Sequence, residues 1–195
     1  ICSPESLPFI SEPVILDINA NFFQSFSSEK GIDKLRGLKE FFDILVRKQV
    51  RVLHADIVLS GNEQYLMPVH RYIGYQVADI FKKPELLKAG APPELWSIRE
   101  TADNIISEGR YEETIKFLRE PLKRFPNEPS LMMFNSVALA YTNSEKEALE
   151  SLSALCGRNK DYCYGLVYVG NELKNAGKTE IAEQFFRIAE ELGFR

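Results

Sequence analysis

Residues able to do chemistry are few in this chain, and the clearest of them fall in its first half. Asp17-Ile18-Asn19-Ala20-Asn21 overlaps the end of the apolar run Pro13–Ile18. Acidic and amide side chains alternating at the end of a strand aim several oxygens to one side. Hard divalent cations take such ligands. In an open parallel sheet, ligands bind outside the carboxyl ends of the strands. Asp17 and Asn19 are therefore candidate metal ligands. Asp17 has a second reading, as a carboxylate that accepts backbone N–H bonds where strand turns into helix. His54 and Asp56 stand two residues apart in a run of strand type, which puts both on one face. They read either as a metal or acid–base pair, or as a hydrogen-bonded pair at a core or edge position. His70, the other of the two histidines, sits near a helix start and reads as a surface residue. Cys2, Cys156 and Cys163 are too few and too scattered for a disulfide framework or a zinc site. Cys156 and Cys163 read as two thiols rather than a disulfide. The chain carries no Ser/His/Asp triad, phosphate-binding glycine loop or Cys-x-x-Cys.

The elements that must position these residues differ between the two halves. Pro13–Ile18 reads as a strand. A helix follows, its start marked by Ser27, Ser28 and Glu29 and its apolar stripe by Ile32, Leu35, Leu38, Phe41, Phe42 and Leu45. Val50–Leu59 reads as a second strand, ended by Ser60-Gly61-Asn62, and a further helix runs from Pro68 to Lys82. Strand, helix and strand in this order make a βαβ unit with parallel strands. Two strands cannot bury both faces of a sheet. The expectation is that more of the sheet precedes Ile1, or that another element covers it. The absence of a starting Met points the same way.

The break between the halves is Lys88–Trp96, with Gly90, Pro92 and Pro93. Residues 1–93 carry 11 basic and 11 acidic side chains, and residues 94–195 carry 13 and 17. The net charge of −4 excludes nucleic-acid binding by bulk electrostatics. No apolar run is long enough to span a membrane. The expected domains are residues 1–90 and 91–195.

The second half repeats. Ala102, Ser136 and Gly170 are spaced by 34 residues, as are Ile98, Met132 and Leu166. The same spacing relates Ile105, Leu139 and Leu173, then Leu118, Leu152 and Phe186, then Thr114, Ala148 and Ala182. Turn residues Gly109, Asn143 and Gly177 keep the interval. Small residues allow two helices to approach closely, and the larger apolar ones fill the seam to the next pair.

This pattern resembles the tetratricopeptide repeat over residues 95–195, in three copies. Pro121, where that family usually has Ala, and Lys160, where it usually has Pro, depart from it. The resemblance implies a concave groove lined by the first helix of each pair and filled by a partner's peptide. Carried over by position, the groove residues are Arg99 and Asp103, then Met133, Val137 and Tyr141, then Val167, Asn171, Lys174 and Asn175. Arg99 and Asp103 stand where the family's clamp for a terminal carboxylate has Lys and Asn, so the resemblance implies no such clamp. Met133, Val137 and Tyr141 have an alternative as packing residues. Tyr162, Tyr164 and Tyr168 form a second aromatic cluster, read first as packing between repeats.

Asp17-Ile18-Asn19-Ala20-Asn21-Phe22-Phe23 is in turn similar to the strand-end motif of the arginase-like (ureohydrolase) superfamily. There, alternating aspartates hold two manganese ions that activate water. Asn19 and Asn21 replace two of those aspartates, and Asp56-Ile57-Val58-Leu59 lacks the family's later acidic residue, with Glu63 four residues further on.

Together these readings give a mixed fold, a partial parallel α/β segment followed by an all-α repeat array. The expected function is a cytoplasmic scaffold that binds a protein or peptide, without catalysis, cofactor, nucleic acid or membrane. The alternative is the C-terminal part of a manganese-dependent, arginase-like hydrolase acting on a peptide or amidino substrate.

Overall fold

The structure, a computed structural model, describes residues 6–24, 34–59, 66–88 and 91–194. Cys2, Ser27, Ser28, Glu29, Ile32, Ser60, Gly61, Asn62, Glu63 and Gly90 lie outside these residues. A two-stranded parallel sheet is followed by a run of helices. Among the described residues, no helix is long and apolar enough to cross a membrane. The chain forms two compact units. The first holds residues up to Leu66 together with Arg71–Glu100, and the second holds Met67–His70 and Thr101–Arg195.

In the first unit, β1 (Val14–Asn19) pairs with β2 (Val52–Val58), with α1 (Asn21–Gln24) and α2 (Lys34–Arg47) between them in sequence. The helix between parallel strands makes this the βαβ unit that the alternation of patterns predicts. An irregularity follows Val14↔Val52, because the next pair is Ile15↔His54 and Leu53 is left over. From there Leu16 and Ile18 pair with Ala55 and Ile57, and these form the inner face. Ile15, Asp17 and Asn19 pair with His54, Asp56 and Val58 on the outer face. Residues in register across a parallel pair share a face, so the one-residue irregularity sets which side chains meet solvent.

A chain of edge-to-face phenylalanines runs from the exposed Phe22 through the buried Phe23 and Phe42 of this unit. Phe22, Phe23, Phe41, Phe42 and Phe81 follow one another with ring centroids 5.2 to 5.5 Å apart, a geometry that aligns ring edges with ring faces. The helix α3 (Tyr72–Lys82) packs on β2. Gly74 permits this approach: a Cβ there would lie 2.0 Å from Leu59 Cδ2. The first turn of α2 is capped from far away. Glu100 Oε1 accepts from Lys34 N at 2.8 Å and its Oε2 from Leu35 N at 3.2 Å. A buried carboxylate thus satisfies two otherwise orphaned donors at the positive end of the helix.

Apart from Met67–His70, the second unit begins within α4 (Glu94–Ser107), whose residues up to Glu100 belong to the first. It continues with α5 (Tyr111–Arg124), α6 (Pro129–Tyr141), α7 (Glu145–Arg158), α8 (Tyr164–Asn175) and α9 (Thr179–Glu191). The first helices end at Ser107, Tyr141 and Asn175, and the second helices begin at Tyr111, Glu145 and Thr179. Both series keep the 34-residue spacing. The connecting turns share one backbone device: Gly109, Asn143 and Gly177 have φ of 72°, 61° and 78°. This left-handed conformation ends a helix at little cost for Gly and at tolerable cost for Asn.

Packing explains the registers. Ala102, Ser136, Thr114, Ala148, Ala182, Leu118 and Leu152 have no solvent exposure. Ser136 Oγ donates to Met132 O at 2.8 Å and lies 2.7 Å from Ser151 Oγ. At Gly170 a Cβ would lie 2.6 Å from the Phe186 ring, so the small register and the large one meet there. The start of α6 uses Glu128 as its cap, accepting from Leu131 N at 2.8 Å, with Pro129 in the first turn. Pro121 lies inside α5, which stays helical to Arg124.

Candidate functional site

On the outer face of the sheet, Asp17, Asn19, His54 and Asp56 are all exposed. Asn19 Oδ1 accepts from Asn21 N at 3.0 Å and makes the turn into α1, an Asx turn. His54 Nε2 lies 3.1 Å from Asp56 Oδ1, with both side chains more than 60% exposed. Ile15 at 70% and Leu53 at 74% exposure share this open surface. Among the described residues, no three His, Cys, Asp or Glu side chains are grouped so as to hold a metal ion.

The array places its predicted residues differently. Arg99 is buried and belongs to the first unit. Asp103 is fully buried on α4. Met133 is enclosed: a Cβ on Gly165 would lie 2.9 Å from its sulfur. Val137 is buried, Tyr141 is 37% exposed and Val167 is half-buried. Asn171, Lys174 and Asn175 are exposed along α8.

What covers part of the first-helix face is a segment of the chain itself. Met67 and the single 3-10 turn Pro68–His70 join this unit, and the turn packs on α6 and α8. His70 Nε2 lies 3.0 Å from Asp103 Oδ1, with side-chain exposures of 11% and 1%. With Asp103 ionised the carboxylate can only accept, and the imidazole Nε2–H is then the donor. Ser107 Oγ stands 3.5 Å from the same oxygen. His70 is therefore not the surface residue its position before a helix suggests. The first helical turn is a separate piece that docks inward.

Beside the turn is a cavity of about 230 Å³, walled by Met67, Val69, His70, Val137 and three tyrosines. Tyr111 and Tyr141 stack with centroids 4.2 Å apart and planes 3° from parallel. Tyr141 Oη donates to a Glu172 carboxylate oxygen. Burial and then the nearby Glu172 charge push the Tyr168 phenol up to about 12. Burial, reinforced by the bond to Glu172, also raises Tyr141. Both phenols thus remain neutral hydrogen-bonding groups through the physiological range.

Of the tyrosine cluster at the start of repeat three, Tyr162 is fully buried and Tyr164 half-buried, while Tyr168 reaches this cavity. Cys156 and Cys163 are both buried thiols, not a disulfide. Burial and the hydrogen bond to Cys163 push the Cys156 thiol up, which suppresses thiolate chemistry.

The sequence singled out Asp103, Val137 and Tyr141 but not the residues that complete this site. Tyr111 belongs to a second helix and Met67–His70 lies outside the periodic part. The run Leu66-Met67-Pro68-Val69 was the available signal, since four apolar residues before a histidine are poor solvent-facing material. No family model, curated protein or solved structure matches the chain.

Proposed function

We propose that this is a binding protein without catalysis of its own. Its helical repeats, similar to tetratricopeptide repeats, receive a peptide or docking segment of a partner protein on their first-helix face. The observation that carries this reading is that the face seats a short segment of the chain itself: the turn Pro68–His70 lies on α6 and α8 and reaches Asp103 of α4. A surface that accommodates apolar side chains, a kinked backbone and one N–H donor has the relief that peptide recognition requires. Two buried thiols not joined as a disulfide support a reducing compartment such as the cytoplasm.

Selection from a displayed random-peptide library on the intact chain tests the reading. Selected peptides are expected to lose binding with Tyr141→Ala or Asn171→Asp and to keep it with Lys116→Ala on α5. Failure to select any peptide, or binding indifferent to both first-helix substitutions, would overturn it.

A further inference from the structure

We propose that residues 67–70 act as a tethered stand-in for the partner, so that the groove is self-occupied and its ligand is a segment of the form apolar–Pro–apolar–basic that displaces them. This rests on the binding reading above and specifies both the ligand class and the regulation of that site.

Each part of the chemistry comes from the seated segment. Pro68 is buried at the start of its 3-10 turn, where its fixed φ lowers the ordering cost of the bound form. Val69, buried, shares the cavity wall with Ile106 and Val137. This contact asks for an apolar side chain of similar size. His70 supplies an N–H to Asp103, whose carboxylate has 1% side-chain exposure. A displacing segment that brings an imidazole, ammonium or guanidinium to that point restores the bond that His70 makes, and an acidic one meets a like group there. The adjoining cavity of about 230 Å³ gives an incoming side chain a place to enter before the turn has left.

The tether matters quantitatively. An attached segment competes at an effective concentration on the order of millimolar. A free ligand's apparent affinity is reduced by the fraction of molecules in which the groove is open. Wild-type protein is thus expected to bind weakly, and a variant with an unseated turn to bind tightly.

The experiment uses a fluorescein-labelled peptide of residues 66–72, Leu-Met-Pro-Val-His-Arg-Tyr, titrated into the full chain. Val69→Asp unseats the turn by placing a charge against an apolar wall, and leaves the array residues intact. This variant is expected to bind the probe at least about tenfold tighter than wild type, and adding Asp103→Asn should weaken that binding. Equal affinity for wild type and V69D, or no binding by a V69D protein whose circular dichroism is native, would overturn the proposal. Should V69D not fold, amide exchange on wild type with peptide bound decides. Faster exchange at Val69 and His70 supports displacement, and unchanged exchange refutes it. If library-selected peptides bind while exchange at residues 67–70 stays unchanged, this proposal falls and the binding reading stands. If no peptide binds any of these proteins, both fall.

Discussion

The outer face of the sheet and the first-helix face of the array carry the same kind of pair, a histidine beside an aspartate, in opposite settings. His54 and Asp56 lie 3.1 Å apart in open solvent. His70 and Asp103 lie 3.0 Å apart and are almost wholly buried. Distance therefore says little about what either pair does. In water both partners have alternative hydrogen bonds, and the contact adds little. In the interior neither partner can turn to bulk water when the other is lost, so the same contact weighs more. The pair that looks more like chemistry in the sequence, two residues apart on a strand, is the less consequential one.

The sharpest way to break this comparison is to remove the two aspartates in turn. Asp103→Ala is expected to cost about 2–4 kcal/mol in urea unfolding, whereas Asp56→Ala should stay within about 0.5 kcal/mol. Equal costs would mean that the buried bond is not holding the turn.

A second contrast concerns close packing. Gly170→Ala puts a methyl carbon 2.6 Å from the Phe186 ring and should destabilise by about 1–3 kcal/mol. Ile15→Ala, on the exposed strand face, should be nearly silent in the same assay.

Next in size is the long-range cap. Glu100→Ala removes the acceptor for Lys34 N and Leu35 N, with an expected loss of about 1 kcal/mol. Amide exchange at Lys34 and Leu35 should rise with it, and protection unchanged at both would refute the assignment.

The smallest effect depends on pH. Lys178 Nζ contacts Asn143 Oδ1 at 2.8 Å and the Glu145 carboxylate, tying the second turn to the third. The hydrogen bond from Lys178 holds Glu145 below its ordinary value of 4.5. A carboxylate depressed in the folded state contributes stability above its unfolded value and loses it as pH falls through the folded one. Glu145→Gln should therefore lower Tm slightly near pH 7, and the difference should shrink as pH falls below the ordinary carboxylate range and through the depressed folded-state value. A difference that persists in acid would mean the contribution is not ionic.

What was legible in the sequence was whatever repeats or alternates. The helix ends at Ser107, Tyr141 and Asn175 follow from small residues, seam residues and turn residues agreeing on one interval. The left-handed φ at Gly109, Asn143 and Gly177 gives that interval a backbone cause. The parallel pairing of β1 and β2 followed from strand, helix and strand in order. Illegible were the contacts made once only. Glu100 caps a helix that starts 66 residues earlier in the chain, and nothing near Lys34 announces it. The turn Pro68–His70 is too short to have a period, so its inward docking left only an apolar run as a trace. Leu53 shifts the strand register by a single residue, a change that no alternation pattern encodes.

The hydrogen bond between His70 and Asp103 also bears on how such a chain could change over generations. Repeat arrays lengthen and shorten by copying whole 34-residue blocks, because each block needs only its neighbours. Here the first block carries a buried carboxylate that takes one of its hydrogen bonds, the one from His70, from outside the periodic stretch. A duplicate of that block would inherit the aspartate without a second histidine to meet it. The middle and last blocks, with Val137 and Asn171 at the corresponding position, have no such requirement. Copying events should therefore be tolerated after Tyr111 and resisted before it, which makes the first block the fixed end of the array.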